Sequence, residues 1–159
     1  MADRDENLQL VTFLLSEELY GISIMDVQEI VRVQDVRAIP NAPTYVEGII
    51  NLRGEIIPII NLHRRFNLPQ QGYTEQEQLL SGFVIVDLND TKLGMLIDRV
   101  SRVITVDAET IQPPPQILSG IGKEYIHGVT SEKDGYLIIL DIHRIFDPKE
   151  LQQLGTIGA

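Results

Sequence analysis

A chain of 159 residues with a net charge of −10, 43% hydrophobic and 23% charged residues can form one sizeable domain, or two half-sized units sharing a core. That balance excludes a disordered chain, and apolar runs such as residues 56–60 fall far short of the roughly twenty residues of a membrane-spanning helix. With no cysteine, disulfides, thiolate metal sites and cysteine nucleophiles are removed together, and the acidic excess argues against nucleic acid, whose phosphates are held by basic clusters.

No apolar core follows Met1, so no secretory signal is expected and the location expected is cytoplasmic. Residues 8–15 and 20–24 are rich in β-branched and aromatic side chains and predict two strands, joined by a turn at Ser16-Glu17-Glu18. Residues 49–52 and 55–60 predict a second hairpin closed at Arg53-Gly54. Pro58 cannot donate to a ladder, which predicts an edge or bulged strand there. Asn61 reads as the cap of a single helical turn over residues 62–66, and the polar residues 70–78 as a linker.

Residues 83–88 and 92–97 then repeat the first hairpin around Asn89-Asp90-Thr91. Residues 112–116, with three successive prolines, predict a stiff linker, and a further hairpin follows around Asp134-Gly135. Asp141 caps a turn over residues 142–146. Asp147-Pro148-Lys149-Glu150 combines an Asp cap, a proline at the first helical position and a Glu three residues after the cap, predicting a terminal helix over about 148–155.

These elements come twice. Tyr45, Gly48, Asn61, Leu62, His63, Arg64 and Phe66 are matched eighty residues later by Tyr125, Gly128, Asp141, Ile142, His143, Arg144 and Phe146. Upstream, Gly21, Ile24, Val27, Ile30 and Val33 are matched at an offset of 73 by Gly94, Ile97, Val100, Val103 and Val106. Similarity at fixed offset marks a duplicated structural unit. The units cover about 8–68 and 82–148. Short, evenly spaced strands predict a mostly β protein of two small five-stranded barrels, packed through an apolar seam that leaves a groove. The copies differ at one hairpin: Asn51-Leu52-Arg53-Gly54 faces the longer Ser131-Glu132-Lys133-Asp134-Gly135.

The hairpin Asn51-Leu52-Arg53-Gly54, followed by residues 56–62 and preceded by Gly21 and Val27-Gln28-Glu29-Ile30, resembles the CheW family of bacterial chemotaxis coupling proteins. The likeness covers residues 8–154 and includes Asp98-Arg99-Val100 and the element at Gly128. It implies two SH3-like barrels, with exchange of strands between them left open, no catalysis and no cofactor. It also implies an adaptor joining chemoreceptor signalling tips to the C-terminal domain of the histidine kinase CheA. On that likeness Val27, Glu29, Gly48 and Arg53 face the receptor, while Phe83, Val103 and Ile104 are kinase-binding candidates from their position at barrel ends.

Residue chemistry fits such a role. Arg53 at a hairpin tip offers a planar five-donor group to a carboxylate or a helix C-terminus, and a receptor helix can lie with its apolar stripe in a groove. Gly48 and Gly54 read as backbone-shaping residues. His63 and His143 occupy one duplicated position and predict a structural role, not a metal site, which needs three or four convergent ligands. The alternative is a small-barrel enzyme or ligand-binding protein using the groove between barrels. Against it, Gly120-Ile121-Gly122-Lys123 lacks the phosphate-loop spacing, and carboxylates such as Glu17, Glu18, Asp87, Asp90 and Asp98 fit turns and solvated edges.

Overall fold

Tight two-residue loops fold the chain into hairpins. Ser16 and Glu17 take φ of 48° and 70°, and their counterparts Asn89 and Asp90 take 53° and 68°, the backbone twist that a two-residue hairpin loop needs. The computed structural model describes residues 7–68, 80–114, 123–132 and 135–158. Its strands are β1 (Asn7–Leu15), β2 (Glu18–Ser23), β3 (Val27–Arg32), β4 (Val46–Leu52), β5 (Glu55–Asn61), β6 (Gly82–Leu88), β7 (Thr91–Ile97), β8 (Arg99–Asp107), β9 (Ile126–Glu132) and β10 (Gly135–Leu140). Helix α1 (Leu62–Phe66) follows β5, and α2 (Pro148–Gly158) ends the described chain. The predicted linker over residues 70–78, the end of the proline linker beyond Pro114 and the hairpin tip at Asp134 lie outside the described residues.

The strands form two five-stranded sheets, in the orders β8-β1-β2-β10-β9 and β3-β6-β7-β5-β4. Neither sheet follows the bounds of a sequence repeat. The β1–β2 hairpin of the first copy joins β8, β9 and β10 of the second, and the β6–β7 hairpin of the second joins β3, β4 and β5 of the first. The connections explain this exchange. Within one sheet, the strand after β2 would have to sit beyond β1, two spacings or roughly 9–10 Å away. The three-residue 3-10 turn Ile24–Asp26, rising about 2 Å per residue, does not reach that far. Between β7 and β8 stands Asp98 alone. The chain therefore passes to the other sheet.

Several expectations are corrected. β5 lies inside its sheet, not at an edge, and the register shift of its ladder falls on β4. The two copies of this hairpin are equally long, since Leu52 pairs with Glu55 as Glu132 pairs with Gly135. Pro58 is tolerated because β5 pairs with β7 only from Ile59 onward, so its missing N–H precedes that ladder. Glu29 lies on strand β3, and β3 and the nine-residue β8 are strands that the pattern does not predict. Both are edge strands, half exposed, and their apolar residues do not alternate along the sequence. Helix α2 continues past Gly155, which lies against Thr91 of β7, so this glycine does not end the helix as expected.

Three apolar clusters hold the structure. The largest lies between the sheets: Phe13, Leu15, Tyr20 and Ile138 from one meet Ile60, Val84, Leu93 and Met95 from the other, under Leu154 of α2. Inside the second sheet pack Ile50, Ile57, Ile59, Phe83 and Ile85, and inside the first Leu10, Val106, Leu137 and Ile139. In β1, β2, β5, β6, β7 and β10 alternation sends odd and even residues to different clusters, while the edge strands β3, β4, β8 and β9 change face at the register shifts of their ladders. No helix among the described residues is long and apolar enough to cross a membrane.

Candidate functional site

The Arg53 hairpin is shaped by its own backbone groups. Arg53 and Gly54 take φ of 51° and 89°, and the Gly54 N–H donates to the Asn51 side-chain oxygen at 2.9 Å. This turn carries the Arg53 side chain, 67% exposed, to the half-buried carboxylate of Glu29 on β3, to which it donates. β3 and β4 are the two edges of one sheet, so the pair ties the open seam of that barrel. One guanidinium nitrogen serves the pair, and the rest of the fork faces outward.

The first sheet repeats the device with reversed polarity. Arg102 of β8 donates to Glu132 of β9 at 3.4 Å, and β8 and β9 are again the two edges. Arg102 stands 73 residues after Glu29, so the offset that marks the duplication was the signal for it.

Val27, two residues before Glu29, is partly buried against the seam between the sheets. Gly48 is buried: a Cβ there would lie 2.3 Å from the Arg37 carbonyl oxygen, because the segment at Arg37 runs against β4 and exchanges two 2.9 Å hydrogen bonds with Ile49. Gly128 does the same beneath Ile111 and Gln112. Gly48 thus shapes the surface from below. The same barrel exposes Ile30 and Ile56 at 39% and, just after β3, Val33 at 44%, and Ile56 lines a shallow cavity of about 510 Å³ with Val36 and Ile49.

The three kinase-binding candidates do not share one surface. Phe83 is wholly buried inside the second barrel, since the alternation of β6 points it with Ile85 into that core. Val103 is 53% exposed on edge strand β8, whereas its neighbour Ile104 turns to the opposite face and packs on the inner core of the first barrel. Of the three, Val103 alone is well presented to a partner.

Each duplicated histidine meets an aspartate of the other copy, His63 with Asp98 and His143 with Asp26, both at 3.0 Å. The first pair is buried and the second half exposed. These contacts give the histidines the structural role predicted for them, holding each copy to its counterpart. No group of three metal-binding side chains occurs among the described residues.

Two sheets that trade hairpins, each tied at its seam by an exposed ion pair, define a duplicated double barrel of SH3-like type. The CheW-like domain matches residues 9–150, and the chain belongs to that family. It is 60% identical to a chemotaxis protein CheW of Treponema pallidum over 99% of this chain and 92% of that one. It is 34% identical to a chemotaxis protein CheW of Klebsiella aerogenes over 94% and 88%. The crystal structure of the scaffolding protein TtCheW from Thermoanaerobacter tengcongensis superposes with a TM-score of 0.80 at 36% identity, covering 91% of each chain.

Proposed function

We propose that this protein is a non-enzymatic chemotaxis adaptor of the cytoplasm, coupling the signalling tips of methyl-accepting chemoreceptors to the histidine kinase CheA. The observation that carries the reading is the Arg53–Glu29 pair: an exposed planar donor group held at a hairpin tip, on a barrel that also exposes Ile30, Val33 and Ile56. Such a surface suits an amphipathic helix, with the apolar stripe on the isoleucines and a carboxylate or helix C-terminus on the guanidinium. Val27 and Gly48 support that surface from beneath. The kinase is assigned to a separate face that includes Val103, where an edge strand leaves an apolar side chain in solvent. Holding both partners at once turns modest affinities into firm attachment by effective concentration.

The test is a paired pull-down with the C-terminal domain of CheA and a receptor signalling-tip fragment, using wild type and Arg53→Ala. The variant is expected to stay folded, since an exposed ion pair contributes about 1 kcal/mol or less. It should keep the kinase domain and lose receptor affinity by roughly tenfold, about 1.4 kcal/mol. Unchanged capture of both partners would remove Arg53 from the receptor surface.

A further inference from the structure

The two barrels present corresponding mouths, and their linings have diverged in a directed way. In the second barrel the mouth is filled by polar pairs: Lys92 bonds Glu55 at 2.9 Å, and Gln28 reaches Asp87 at 3.4 Å. The duplication offsets set these four residues against Leu19, Gly135, Ser101 and Leu14 in the first barrel. Both pairs are thereby deleted at once, leaving apolar or small residues. The first mouth consequently opens into a cavity of about 480 Å³ floored by Leu14 and Leu19, with Tyr136, 65% exposed, as one wall. The counterpart cavity, about 240 Å³, is crowded by Leu154 and Gly155 of α2.

The rim has a definite charge. Among the described lining residues, Glu18 at the start of β2 stands at the edge of the cavity, and the cation Arg102 is engaged by Glu132. Leu19 continues downward into the inner core of the first barrel, so the floor is held by packing. We propose that this mouth is a socket for one aliphatic side chain of a partner peptide that carries Lys or Arg next to it. The side chain would rest on Leu14 and Leu19 beside Tyr136, and the flanking cation would meet Glu18. An apolar floor with a few convergent charges is the usual make-up of a recognition pocket. Opposite charge at the rim selects the partner by complementarity. The socket is separate from the Arg53 surface and does not depend on the receptor assignment.

The test uses uniformly 15N-labelled full-length protein titrated with acetyl-Lys-Leu-Lys-amide, with acetyl-Glu-Leu-Glu-amide and acetyl-Lys-Ser-Lys-amide as controls. Amide shifts with the first peptide are expected to cluster at Leu14, Glu18, Leu19, Ser101 and Tyr136 and to saturate. Both controls should bind at least about tenfold more weakly. The double variant Leu19→Lys with Gly135→Glu rebuilds the polar pair of the other barrel. A Cβ at Gly135 meets nothing within 4 Å, so the new Glu has room. It should abolish the clustered shifts while leaving the spectrum around Arg53 unchanged. The exposed rim variants Glu18→Gln and Tyr136→Ser leave the core untouched, and each should weaken binding severalfold. Equal binding of acetyl-Lys-Ser-Lys-amide would overturn the proposal by reducing the effect to diffuse charge attraction. Full binding by the rim variants, or by a folded double variant, would overturn it as well.

Discussion

Two glycines flank one hairpin strand and have opposite reasons for being glycine. A Cβ on Gly48 would sit 2.3 Å from a carbonyl oxygen that is itself hydrogen-bonded, so the clash cannot be relieved by turning a side chain. Gly48→Ala is therefore expected to destabilise the fold by about 3 kcal/mol, the upper end of overpacking effects. At Gly54 nothing lies within 4 Å, and φ of 89° alone disfavours a side chain, which predicts a cost of roughly 1 kcal/mol for Gly54→Ala. Urea unfolding of both variants checks the contrast. Equal midpoints would mean that the backbone contact at Arg37 yields easily. With the destabilisation expected at Gly48, any receptor-binding loss in Gly48→Ala is loss of fold and not of a contact. The sequence made Gly48 legible as a backbone residue because its copy Gly128 keeps the same place. It did not reveal that Arg53 and Glu29 touch, since a pair 24 residues apart meets only once the sheet has closed.

Helix α2 was readable from its first four residues because capping is local. The Asp147 side chain accepts from the Glu150 N–H at 2.8 Å and Glu150 accepts from the Asp147 N–H at 2.9 Å, the reciprocal box the spacing predicts. What anchors the helix was not readable. Arg65 donates through two nitrogens to the two Glu150 oxygens at 2.9 and 2.8 Å and through Nε to the Ile145 carbonyl at 3.0 Å. Its guanidinium lies over the rings of Tyr45, Phe146 and Tyr125 at 4.8, 5.0 and 5.5 Å. The side chain is only 13% exposed, so removing it strands a partly buried carboxylate. Arg65→Met is expected to cost about 2–3 kcal/mol, somewhat below the range for a fully buried pair. Hydrogen exchange should quicken first in α2, and uniform quickening would refute a local latch. The same cluster predicts an alkaline limit. Burial pushes the Tyr45 phenol above its ordinary value and Glu150 adds to this, while Arg65 opposes. A raised phenol contributes its full stability below a pH of about 10 and loses it as pH rises through the folded value. Tyr45→Phe should flatten that alkaline decline in thermal melts.

The exchange of hairpins decides how the two sequence copies depend on one another. The duplication was legible because it keeps register at fixed offsets, whereas the partner of each strand was not, since either copy of β1–β2 fits either sheet by pattern alone. In the folded chain β1 pairs with β8 along most of its length and β2 pairs in parallel with β10, so residues 1–79 taken alone lack three strands of their sheet. The seam cluster is also drawn from both copies. Neither half can bury its apolar face without the other, and a unit of about sixty residues is marginal even when complete. Separately produced halves, residues 1–79 and 80–159, are therefore expected to show no cooperative urea transition as monomers. Mixed in equal amounts they should regain the native amide spectrum, because the same strand pairings remain available between chains. Such reassembly should be slow, since the pairings that matter lie far apart in sequence. A first half that melts cooperatively as a monomer would show that its hairpin closes on its own copy. The short β2–β3 connection, which this half keeps, would then not be what enforces the exchange, and the packing between the sheets would be.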